Sequence, residues 1–218
     1  MGKSRKGRRF VRPTGEQVLF RVPNSMRFSV ALCGRESIAG EKMKPSAGCF
    51  LVAAPVLRDP NFIQSVIYLL EHGDAGSMGL IVNRPLDMPL ASIWEEVPSG
   101  LAEARTAADG GPVERDRGLL LHGIMDLPGC QKVGLGIVIG GEVAALSSSF
   151  ADGADLRGPR LYLGHSGWSP GQLEQEVVQG GWIVRPGNVD HVLVPPPMDL
   201  WRRLVDGGGA GLPEPSLN

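Results

Sequence analysis

FLVAAPVLRDPNFIQSVIYLLEHGDAGSMGLIVNRP, residues 50–85, contains three apolar runs separated by turn signals. Phe50-Leu51-Val52-Ala53-Ala54 is short, and Pro55 ends it by removing a backbone donor. Asp59-Pro60-Asn61 marks a turn, with Asp59 suited to an Asx turn. Ser65-Val66-Ile67-Tyr68-Leu69-Leu70 is rich in β-branched and aromatic residues, which favours a strand. Gly73-Asp74-Ala75-Gly76-Ser77 supplies a hairpin loop, and Met78-Gly79-Leu80-Ile81-Val82 is the return strand. Asn83-Arg84-Pro85 then leaves the sheet, since proline pushes the preceding residue away from helical geometry. Both positions of the strand alternation are apolar, so a sheet covered on both faces is expected.

Downstream, Leu90, Ile93, Trp94 and Val97 share one helical face, which predicts an amphipathic helix over Met88–Val97 with Pro89 in its first turn. Residues 100–112 read as a loop closing on Gly110-Gly111-Pro112. Leu119-Leu120-Leu121-His122 reads as a buried strand. A hairpin is expected between Gly134 and Ser149, pairing Gly136–Ile139 with Val143–Leu146 about a Gly140-Gly141 turn. Arg160–Leu163 is a further strand, and Ser169-Pro170 opens a helix to about Gln179 that Gly180-Gly181 stops. Trp182–Val184 and Val192–Val194 read as late strands, and a last helix carries Met198, Leu200, Trp201, Leu204 and Val205. Strands with interspersed helices and an early hairpin argue for an α+β fold with a mixed sheet.

The run from Phe50 to Pro85 resembles the YqgE/AlgH family of bacterial proteins. The resemblance continues at Gly110-Gly111-Pro112-Val113, at Gly118-Leu119-Leu120-Leu121-His122 and at Gly164-His165-Ser166-Gly167-Trp168 with Gly171-Gln172-Leu173-Glu174-Gln175-Glu176. Together these span about residues 48–205. The resemblance implies a mixed sheet curled into a pseudo-barrel with helices packed outside, and a soluble bacterial protein. One branch is named for a proposed role in regulating alginate synthesis, which makes a transcriptional regulator the family-name reading; no agreed enzymatic activity comes with it. It also implies a helical segment ahead of the Tyr162 strand, for which residues 150–159 leave little room.

Composition sets outer bounds. The 218 residues, 42% of them hydrophobic, suffice for one domain, expected over residues 46–206. The 31 glycines and 18 prolines predict many turns. No run of about 18 uncharged apolar residues exists, so no membrane helix is expected, and the basic start lacks the apolar region of a signal peptide. Cys33, Cys49 and Cys130 are widely spaced, which fits reduced thiols and a cytoplasmic location. The net charge of −1 conceals a division: residues 1–45 carry 11 basic and 3 acidic side chains, and the remainder is acidic. That head is expected to be a disordered extension, as is a flexible tail over 207–218. Residues 1–12 are the one stretch suited to weak, nonspecific nucleic-acid binding.

Candidate chemistry is sparse. Gly164-His165-Ser166-Gly167-Trp168 resembles a nucleophile elbow, but Trp168 stands where that turn requires glycine. YqgE/AlgH proteins commonly carry Ala where Ser166 sits, which implies no catalytic serine. The alternative for this segment is a turn feeding a helix N-terminus, able to hold an anion. His72, His122, His165 and His191 form no metal-ligand spacing, so no metal and no cofactor are expected, although His72 and His122 stand at predicted strand ends that could meet. Asn83 and Arg84 either bind a carboxylate or phosphate or serve structure alone. Glu174 and Glu176 are not a catalytic pair, because positions two apart on a helix point roughly 200° apart. With no catalytic set complete, the leading reading is a non-catalytic binding or regulatory protein with an unidentified protein or small-molecule ligand. Its ligand-binding candidates are Asn83, Arg84, His122, Gly164, His165, Ser166 and Trp168. A small-molecule hydrolase using a cleft near Gly164–Trp168, and nucleic-acid association through the head, are the alternatives.

Overall fold

The structure, a computed structural model, describes residues 43–93, 106–134, 136–151 and 157–207. The expected extension up to residue 42, the second half of the Met88–Val97 helix and the tail beyond Gly207 lie outside the described residues. Among the described residues there are ten strands: β1 Cys49–Ala53, β2 Val66–Gly73, β3 Gly76–Ile81, β4 Pro85–Pro89, β5 Thr106–Asp109, β6 Val113–His122, β7 Cys130–Gly134, β8 Ile137–Gly140, β9 Arg160–Trp168 and β10 Trp182–Pro186. Four helices accompany them: α1 Val143–Ala151, α2 Gln172–Val178, α3 Asp190–Leu193 and α4 Leu200–Val205.

The strands follow the order β10-β1-β2-β3-β9-β6-β8-β7, with β4 paired to β5 and β5 running parallel to β9. The sheet is mixed and curls without closing, and helices pack onto it, α2 on β3 and β10 and α4 on β1. The α+β expectation and the curled sheet are therefore found. No helix among the described residues is long and apolar enough to cross a membrane.

The signature run builds the covered sheet its pattern predicts. Phe50, Val52, Val66, Tyr68, Leu70, Leu80 and Val82 enter one core cluster. The alternate residues Cys49, Leu51, Ala53, Ile67, Leu69 and Ile81 enter another, roofed by Leu173 of α2 with Trp168 and Trp182. Away from the hairpin end at Glu71–Gly76, the β1–β3 residues on both faces are removed from water, which is what selects strands without a polar side.

Five elements depart from expectation, the first being β5, a strand paired to β4 and β9 within the 100–112 segment expected to be a loop. Pro85–Pro89 does not leave the sheet but forms β4, an edge strand on which prolines cost no ladder donor. Only the one-turn 3-10 segment Leu90–Ser92 stands where the amphipathic helix was expected to begin. Val143–Ala151 is helical, and β8 pairs instead with the preceding β7. Its Ala-rich start favours helix, and Leu146 and Phe150, four apart, bury together against Leu120 and Leu161. A helix thus does precede β9, before the bridge judged too short for one. Val192 and Leu193 lie in the one-turn α3, opened by the Asn188 Oδ1 that accepts the Asp190 N–H at 2.8 Å. A short buried apolar run suits either state.

Candidate functional site

Asn83 and Arg84 follow β3 and reach back across the sheet end to the loop before β2. Asn83 Oδ1 accepts the Val66 N–H at 2.8 Å, and its Nδ2 donates to the Gln64 carbonyl at 2.9 Å. Arg84 Nη1 donates to the Asn61 carbonyl at 2.6 Å and Nη2 to the Ile63 carbonyl at 3.1 Å. Asp59 Oδ1 accepts the Asn61 N–H at 2.7 Å, completing the expected Asx turn. The clamp holds Gln64 at φ 54, a left-handed conformation that is uncommon outside glycine. No carboxylate lies within 4 Å of Arg84 among the described residues.

The Arg84 carbonyl accepts the Asp109 N–H at 2.9 Å, which carries the clamp to the Gly110-Gly111 crossing. There the chain passes against β9 with no space for side chains. A Cβ on Gly110 would collide with the Gly164 carbonyl, and one on Gly111, at φ 149, with His165 backbone. Asp109 Oδ1 accepts the Gly111 N–H at 3.2 Å, and its Oδ2 pairs with Arg115 Nη2 at 3.3 Å. Arg115 Nε donates to the Gly111 carbonyl at 3.2 Å. Asp109 and Arg115 thus cap the crossing, and Arg84 is joined to them through its carbonyl and, at longer range, through charge.

The electrostatics agree with that geometry. Burial pulls the Arg84 guanidinium below its usual pKa; Asp109 opposes this, Arg115 adds to it and Asp59 opposes it. Burial likewise depresses His165, with Glu114 opposing and Arg117 reinforcing. Arg117 Nη1 lies 3.1 Å from Glu114 Oε1, and Glu114 is itself at φ 49.

The segment Gly164–Trp168 is not a turn. It continues β9, with Ser77, Met78 and Gly79 facing Trp168, Gly167 and Ser166. Ser166 is fully buried, and its hydroxyl donates to the Gly110 carbonyl at 3.3 Å. Neither an exposed nucleophile nor a helix N-terminus is formed there. Trp168 is an aromatic core residue: its Nε1 donates to Glu176 Oε2 at 2.9 Å, and Trp182 Nε1 donates to the same oxygen at 2.7 Å. Gly164 and His165 join the crossing, whereas Trp168 belongs to the α2 side.

His122 stands apart from both Arg84 and His72. Its Nδ1 accepts the Ile124 N–H at 3.2 Å and its Nε2 faces the Gly140 carbonyl at 3.0 Å, which fixes a neutral ring with the proton on Nε2. Cys130 Sγ is 3.6 Å from that nitrogen. Burial lowers the His122 pKa, against the Gly140 carbonyl contact, and raises that of the Cys130 thiol, which favours the neutral form of each. Among the described residues no group of three or more His, Cys, Asp or Glu could hold a metal ion.

Sequence reading missed Asp109 and Arg115 at the crossing, and missed Arg160. Arg160 is buried, with Nη1 donating to the carbonyls of His191 at 3.0 Å and Val194 at 3.3 Å, and Nη2 to that of Val82 at 2.8 Å. Its guanidinium carbon lies 4.9 Å from the centre of the Tyr162 ring. The one available signal was an arginine beginning an otherwise apolar strand.

A family model described as AlgH-like (DUF179) matches residues 50–211. The chain belongs to the AlgH-like family. A UPF0301 protein of Thioalkalivibrio sulfidiphilus is 35% identical over 169 residues, 75% of this chain and 89% of the relative. One from Ruegeria pomeroyi is 41% identical over 152 residues, 66% of this chain and 82% of the relative. Among solved structures, protein DIP2367 of Corynebacterium diphtheriae has a TM-score of 0.62 at 26% identity, covering 81% of this chain and 92% of its own. The AlgH protein of Pseudomonas aeruginosa has a TM-score of 0.59 at 31% identity, covering 78% of this chain and 94% of its own. The AlgH-like match therefore runs through the clamp, the crossing and β9 alike.

Proposed function

We propose that this AlgH-like chain is a binding protein that seats a small carboxylate or phosphate between Arg84 and Arg115, and that Gly164–Trp168 shapes the site without chemistry of its own. The observation that carries this reading is Arg84. Its guanidinium is half-buried, held by two neutral carbonyls, and feels the charge of a second cation, Arg115. Asp109 compensates Arg115 directly and Arg84 only at longer range. An anion bridging the two guanidinium groups relieves their repulsion and uses donors already fixed in place.

Titration of the full chain with a panel of dicarboxylates and phosphate monoesters, followed by calorimetry and by amide shifts of Gly110 and Gly111, tests this. Arg84→Gln and Arg115→Gln are each expected to weaken binding at least tenfold, with Ser166→Ala unchanged. A panel that shifts neither amide and releases no heat removes the reading.

A further inference from the structure

His72, Ser77 and Trp168 stand abreast on β2, β3 and β9, since Ser77 faces His72 on one side and Trp168 on the other. The Ser77 hydroxyl lies 2.7 Å from His72 Nδ1. The second ring nitrogen, Nε2, lies 3.6 Å from Glu174 Oε1 on α2. Nucleophile, base and carboxylate thus come in line from three separate elements, the chain of contacts that activates a serine. The order of the ring nitrogens is reversed relative to the serine-protease arrangement, but the proton logic is unchanged. Glu174 favours the tautomer with hydrogen on Nε2, which turns the Nδ1 lone pair toward the Ser77 O–H. The Glu174 contact is longer than a hydrogen bond, as such contacts often are before substrate binds.

Burial discriminates this serine from Ser166. Ser166 is sealed at 0% exposure and bonded to a carbonyl, an acceptor that cannot take its proton. Ser77 retains 9% exposure, and its partner is a base whose side chain is 16% exposed. The carboxylate is half in water, so proton exchange with solvent is open. On one flank Trp168, stacked on Phe62 at 6.3 Å between ring centres, supplies an apolar wall.

We infer that Ser77, His72 and Glu174 form a second site, an acyl-transfer centre for small activated esters or thioesters. The Ser77 oxygen bonds to the acyl carbon as the carbonyl electron pair moves onto oxygen, and the Ser77 proton passes to His72 Nδ1. Collapse of the tetrahedral adduct breaks the bond to the alcohol or thiol, which leaves with that proton. Water then attacks the acyl-serine, gives its proton to His72 and releases the acid, while Ser77 recovers the proton. Nothing in this depends on anion binding at Arg84.

The test uses the full chain with a fluorophosphonate probe and with p-nitrophenyl acetate, locating adducts by peptide mass. A phosphonyl adduct on Ser77 and none on Ser166 is expected. The labelling rate should fall at least tenfold in His72→Gln and severalfold in Glu174→Gln, and the rising limb of its pH profile should vanish with His72. An unlabelled Ser77 in the wild-type chain overturns the inference without recourse to any variant. So does labelling that proceeds equally in a folded His72→Gln chain.

Discussion

Two arginines in this chain solve the same problem in different surroundings. Arg160 and Arg84 both place their Nη groups on backbone carbonyls, and neither has a carboxylate within 4 Å among the described residues. Arg160 is 3% exposed, with the Tyr162 ring beneath it and carbonyls from the β3 end and α3 around it. Arg84 is half-buried and shares its field with Arg115 and Asp109. A cation ringed by dipoles and sealed from water joins elements of the fold and has no remaining direction in which to bind. The same cation at a rim keeps an open side. On the proposed reading of Arg84, enclosure rather than the identity of the partners separates a structural arginine from a binding one.

The sharpest way to break the comparison is to remove Arg160. Arg160→Met should cost about 3 kcal/mol, because the buried Val82 and His191 carbonyls lose their donor. Chemical denaturation measures it, and a loss below about 1 kcal/mol would place Arg160 in the same class as Arg84.

Alkaline titration sharpens the same contrast from the ring side. Burial pushes the Tyr162 phenol up to about 12 from 10.0, with Arg160 opposing. The folded state therefore holds a proton that the unfolded chain has released. Stability is fully present below pH 10 and falls as pH rises toward 12, by about 2–3 kcal/mol in all. Tyr162→Phe should flatten that decline while losing about 1 kcal/mol at neutral pH, from the hydrogen bond to the Val192 carbonyl.

Arg84→Ala should lower stability by only about 1 kcal/mol, since the carbonyls it leaves are wetted. Proteolysis within Asp59–Gln64 should accelerate in this variant and not in Arg160→Lys. The smallest effect belongs to Ser166→Ala, within about 0.5 kcal/mol by thermal melting, because Gly110 O also accepts the Ile81 N–H at 2.9 Å.

Legibility in the sequence followed the distance over which each feature is determined. The β1–β3 unit could be read because proline, glycine and unbroken apolar alternation are local signals. The Asp59 turn could be read for the same reason. Val143–Ala151 was misread because an Ala-rich apolar run after Gly-Gly satisfies strand and helix patterns equally, and the choice is made by Leu120 and Leu161 on distant strands. Gly164–Trp168 was misread because glycine density suggests a turn. Here the glycines instead permit two backbones to cross, which only the partner Gly110-Gly111 reveals. Asn83 and Arg84 were identifiable as residues to watch, but their clamp needed coordinates. Asp109 and Arg115 carried no local pattern at all.

One strand sets the timetable by which this molecule can be made. β9 bonds to β3, β5 and β6, and each of these precedes it in the chain. At roughly 5–20 residues per second, Ile81 is synthesised some 4–17 seconds before Trp168. Through that interval the β1–β3 hairpin unit has an apolar edge with no neighbour, and the crossing glycines have nothing to cross. A nascent chain of this design leaves the β3 edge open to other strands until β9 arrives, and slower translation ahead of Arg160 lengthens the wait.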